Sequence, residues 1–162
     1  MSDLLQLLLE FHRDKLAILT GHEAGARSVV QYDANNAYQY IINREETHLS
    51  WLASAIVSLG GTPEAAIAAA TADAARGRGD AWRGLAEGHA GEAQAFVDRW
   101  RPRVETMTNA RHRNMLRVIL GEMLEQKRFF EQVAAGNLDL LGRRDDAVGP
   151  RVGEVLPTRW VE

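Results

Sequence analysis

Glu45 and His48 stand three residues apart in "YIINREETHLSWLASAIVSLGGTP", residues 40–63. On a helix, residues i and i+3 share a face. The pair therefore presents a carboxylate oxygen and an imidazole nitrogen to the same ion or ion pair. Tyr38, Ile41, Leu52, Ile56 and Leu59 lie on that face too, so both polar groups interrupt a stripe that should be apolar. A carboxylate buried without a partner is costly, and such a group neutralises, pairs or binds metal.

Polar breaks of this kind recur along the chain. His12 interrupts one apolar stripe, His89 and Glu92 a second, and Glu122 with Gln126 a third, with Glu125 nearby. Four breaks near mid-helix make one polar layer across a bundle. Carboxylates and imidazoles together are the ligand set of iron or manganese. The alternative is a buried hydrogen-bonded network joining Glu45 and His48 to Tyr38 or Glu92.

Helices must position these groups. Glycine and proline cut the chain into helical blocks, and no run of β-branched residues alternates with period two. The first block runs from Ser2 to about Thr20, capped by Ser2 or Asp3 and ended by Gly21, with Leu5, Leu8, His12, Leu16 and Leu19 as its stripe. A further helical turn can continue through "EAGARSVVQ". The second block spans Asp33 to Leu59, with Asp33 as N-cap and "GGTP" as a hard stop. The third spans Ala81 to Met107 on a stripe of Trp82, Leu85, His89, Glu92, Phe96, Trp100 and Val104, and Pro102 should kink it or end it early. The fourth spans Ala110 to Ala135. Its stripe takes one of two phases, through Met115, Ile119, Glu122, Gln126, Phe129 and Val133, or through Leu116, Ile119, Met123, Gln126, Phe130 and Val133.

About twenty residues separate the second and third blocks, more than a tight turn needs. They suffice to run the length of a bundle, which makes the second and third helices parallel neighbours. The expected fold is all-α: a four-helix bundle over residues 1–137 with one long crossover. Residues 138–162 form an extended arm whose Val155, Leu156, Trp160 and Val161 dock on the bundle or on a partner subunit.

Bulk composition narrows the chemistry. The 162 residues are 46% hydrophobic and 25% charged, which fits one ordinary globular domain. A net charge of −3 argues against nucleic acid as a partner. The absence of cysteine removes disulfides, thiolate metal sites and thiol catalysis together. The apolar N-terminal run follows an acid and no basic residue, and it is too short to span a membrane. A cytoplasmic location is expected. The four tryptophans read as core or interface residues, and a homodimer formed through bundle faces is the default assembly.

The stretch "EETHLSWLASAIVSLGGTP" resembles the second helix of ferritin-like proteins, in particular bacterioferritins and rubrerythrins. The resemblance rests on Glu45-x-x-His48, on Leu52 one turn later and on the "LGGTP" helix end. It implies a di-iron carboxylate bundle in which Glu45 bridges the metals, His48 ligates one, and Glu92 supplies the lone acid of the third helix. The fourth helix of that family carries a second Glu-x-x-His. Here "ILGEMLEQKRFFEQ" offers Glu122-x-x-Glu125 or Met123-x-x-Gln126. The first helix should carry a lone Glu, and His12 holds the stripe position instead. His12 and His89 are candidates to complete the set. The function so implied is a non-haem iron protein, di-iron or mononuclear with manganese as the other candidate metal, acting as a ferroxidase or oxidoreductase with dioxygen or peroxide. The competing expectation is a metal-free degenerate bundle that serves as a binding or assembly module.

Overall fold

The computed structural model describes residues 3–65 and 81–137. Four helices account for nearly all of them: α1 (Asp3–Ser28), α2 (Tyr32–Ser58), α3 (Ala81–Glu105) and α4 (Ala110–Ala134). The C-terminal arm and most of the crossover expected from the sequence lie outside the described residues.

The helix ends follow local chemistry. Gln31 caps α2, its side chain accepting from the Ala34 amide, in the role expected of Asp33. Asn109 caps α4 through the His112 amide. The "LGGTP" stop holds. Gly60 takes φ +79°, and the Gly61 amide reaches back 2.9 Å to the Ile56 carbonyl, closing the open end of α2. Gly21 does not end α1, which runs on to Ser28, so the "EAGARS" residues join the helix. Pro102 lies inside α3, three residues before its end, so the amide it lacks is missing only from the last turn.

Neighbouring helices all run antiparallel. Lys15 meets Glu45 and His22 meets Tyr38 across α1 and α2. Phe11 meets Trp100, and Gly25 meets His89, across α1 and α3. Tyr40 meets Phe129 and His48 meets Glu122 across α2 and α4. His89 meets Phe130 across α3 and α4. Two helices that each run antiparallel to α1 are parallel to one another, so α2 and α3 are parallel. They are diagonal partners across the core, however, and not the adjacent pair expected from the sequence. The long connection is needed because α3 must restart at the opposite end from where α2 stops.

The core is divided. One apolar cluster holds Leu8, Phe11, Leu52, Ile56, Val97, Trp100, Leu116 and Ile119, and Phe11 packs edge-on against Phe96 and Trp100. The other holds Leu19, Ala26, Tyr38, Ile41, Phe130 and Val133. Between the clusters lie Lys15, Glu45, His48 and Gln126, all buried. These four come from α1, α2 and α4 and none from α3, so the polar layer expected to span all four helices is formed by three of them, with Lys15 in place of His12. The second phase proposed for α4 is the buried one. No helix among the described residues is long and apolar enough to cross a membrane.

Candidate functional site

Lys15 is the residue that sequence reading missed. It is 0% exposed, and so is Glu45. Its ammonium forms an ion pair with Glu45 Oε2 and donates to Met123 Sδ at 3.1 Å. Burial pushes the Lys15 ammonium below the usual lysine range, while Glu45 and then Glu122 oppose that shift. Glu45 Oε1 has no hydrogen-bond partner among the described residues.

Toward the α2/α4 face, Glu122 collects two partners. His48 Nε2 lies 2.8 Å from its Oε2, and Arg44 Nε donates to the same oxygen at 2.9 Å. A second guanidinium nitrogen of Arg44 pairs with Oε1. Burial works against ionising Glu122, but the hydrogen bonds from His48 and Arg44 outweigh it and hold the carboxyl down at about 2. His48 Nδ1 meets no partner among the described residues. The fork geometry places Arg44 as the clamp on the acid that sequence reading offered as a metal ligand.

Toward the other end, His22 and His89 stack edge to face with ring centroids 4.7 Å apart, beside Tyr38 and Phe130. His22 is buried, and neither of its ring nitrogens has a hydrogen-bond partner among the described residues. Burial first, then His89 and Lys15, lowers its pKa well below 6.5, so it is neutral. Burial also raises the Tyr38 hydroxyl, with Glu92 adding to the shift. His89 Nδ1 lies 3.1 Å from Glu92 Oε2, but the Glu92 side chain is 58% exposed. The α3 stripe passes through Ala93 and not through Glu92.

The candidate ligands therefore do not converge. His48 and Glu122 are brought together, and His89 and Glu92 form a separate pair. Glu125 is half-buried at the α2/α4 face, and burial raises its carboxyl. His12 is buried, its pKa lowered by burial against the pull of Glu64. Among the described residues no three His, Asp or Glu side chains are grouped to hold a metal ion. The donor chemistry agrees, because Glu45 already faces an ammonium and Glu122 already faces a guanidinium. As arranged, these side chains do not fit a di-iron centre. An ammonium contributes only donors and has no lone pair to give a metal while protonated.

Beside this layer a groove of about 830 Å³ opens between α2 and α4. Tyr40, Trp51, Val118, Leu124 and Phe129 line it together with Arg44, Glu122 and Gln126. Comparison with known proteins finds no matching family, no matching curated protein and no matching solved structure.

Proposed function

We propose that this chain is a ferritin-like bundle that carries a lysine in place of metal at its centre and works as a binding module through the α2/α4 groove. Lys15 is the observation that carries the reading. It comes from the first helix, level with Glu45, where di-iron bundles of this kind supply an acid. Its charge neutralises Glu45 without an ion. Support for the kinship comes from the Glu45-x-x-His48 and "LGGTP" stretch and from the helix order, in which a long connection separates two antiparallel pairs.

The test is metal analysis of the full chain after exposure to ferrous iron and to manganese. The expected outcome is substoichiometric metal that Glu45→Ala and His48→Ala leave unchanged. A full equivalent of iron or manganese, lost in those two variants, would overturn the proposal. That outcome would favour the rival reading, an iron oxidoreductase acting with dioxygen or peroxide. One observation speaks for the rival: His48 and Glu122, both ligand types, already meet at 2.8 Å.

A further inference from the structure

We propose that residues 155–161 of this chain's own C-terminal arm, "VLPTRWV", dock in the α2/α4 groove and regulate access to it. The inference rests on the binding-module reading and names the regulator of that same site. The groove has a defined length. Tyr40 meets Phe129 at one end. Trp51 and Val118 line the other, each eleven residues away along its own helix, roughly 16 Å at the helical rise. The lining between them is mostly apolar. Gly121 is part of it, toward the Val118 end. A Cβ on Gly121 would meet no atom of the described residues within 4 Å, so the wall has room there for a large side chain.

The arm is tethered beside this groove and matches it. Phe129 lies five residues before the end of α4, so the groove begins at the end from which the arm leaves. Gly136, at φ +87°, turns the chain off the helix axis, with the Asn137 amide 2.9 Å from the Gln132 carbonyl. Twenty-five residues follow Asn137. Those from Asn137 to Val155 span up to roughly 60 Å when extended, far more than the return to Phe129 demands. Val155 and Trp160 are five residues apart, and Pro157 favours extended backbone for itself and for Leu156. At about 3.1 Å per residue that interval is roughly 16 Å, the length of the groove. Entering from the Phe129 end, Val155 falls beside Tyr40 and Phe129, and Trp160 reaches the space at Gly121. The charges agree with that direction. Glu154 arrives by Arg128 and Arg159 by Glu125, whereas the reverse direction would set Arg159 against Arg128. A segment of the same chain acts at an effective concentration of about millimolar, so it outcompetes a second copy in dilute protein. Any other occupant must displace it.

Hydrogen–deuterium exchange of the full chain, read by mass spectrometry, is the test. Peptides covering residues 155–161 should exchange at least about tenfold more slowly than those covering 142–149, whatever the protein concentration. Gly121→Arg fills the groove from a position with open space, and Trp160→Ser removes the largest apolar group of the segment. Each should abolish the slow exchange of residues 155–161 while the amides of the four helices stay protected. If Gly121→Arg disturbs the helices, Trp160→Ser, which changes no helix residue, decides alone. Three results overturn the inference. Residues 155–161 exchange as fast as 142–149, or their slow exchange survives both substitutions, or it is lost on dilution, which would give the groove to the arm of a second copy. Metal analysis is scored separately. Fast exchange without metal uptake removes only this inference, whereas stoichiometric metal removes the reading beneath it.

Discussion

The Lys15–Glu45 pair concentrates the energetic risk of this bundle at one point. Two opposite charges in a dry core tolerate each other, but neither tolerates solitude. Lys15→Met is therefore expected to destabilise the chain by about 3–5 kcal/mol, since it strands Glu45. Lys15→Met combined with Glu45→Leu should recover most of that loss or exceed native stability, and urea unfolding of the three variants measures both. His22 sets a pH dependence. Its folded pKa is lowered well below 6.5, chiefly by burial. Below pH 6.5 the unfolded chain binds a proton that the folded chain refuses, so stability falls as pH drops, by up to about 1.4 kcal/mol per pH unit. Above that pH the residue contributes no slope. His22→Leu should flatten the profile of urea midpoints measured between about pH 7.5 and about pH 5.5, leaving the smaller contributions of His12 and His112, whose pKa values burial also lowers. Glu45 and His48 were legible because two polar residues broke an apolar stripe. Lys15 was not, because lysine on an amphipathic helix is ordinarily a solvent-facing residue. A signal existed nonetheless: Leu8, His12, Lys15, Leu19, His22 and Ala26 follow an alternating four- and three-residue spacing, and all six are buried.

At the level of the helices, close approach decides the outcome at two glycines four residues apart in α1. A Cβ on Gly25 would lie 2.9 Å from His89 Nε2 and 3.1 Å from Tyr38 Cε1, two rings already held in the core. Among the described residues, the nearest atom to a Cβ on Gly21 would be His89 Cε1 at 3.9 Å. Gly25→Ala should therefore destabilise by about 1–3 kcal/mol through overpacking. Gly21→Ala should stabilise by about 0.5–1 kcal/mol, because alanine loses less conformational freedom in a helix. Thermal melts of the two variants should shift in opposite directions. The same residues explain what sequence pattern revealed about the helices. Gly21 read as a helix end because glycine commonly is one, but the tight crossing of α1 and α3 at Gly25 selects glycine for its size. The α3 stripe was displaced by one residue at Glu92. Small neighbours on both sides gave the pattern too few large side chains to fix its phase, and Ala90 and Ala93 are the buried members.

Across the whole molecule, the two hairpins α1–α2 and α3–α4 are tied by polar contacts at their seams. Trp100 donates to Asp14, Arg103 pairs with Glu10, and Arg44 clamps Glu122. The number of helices and the long connection followed from block lengths. The diagonal placement of α2 and α3 did not, because the length of a connection fixes which ends it joins and not which flanks touch. The buried ammonium has a consequence at this scale. A fold that depends on a bound ion gains stability with the free concentration of that ion and loses it when the ion is sequestered. A lysine is synthesised with the chain and cannot be withdrawn. The melting temperature should therefore be the same with a strong chelator as without it, which differential scanning calorimetry can check. A drop with chelator would place an ion among the groups that hold the fold. If the temperature holds, the protein is as well folded in a cell starved of iron as in one replete with it.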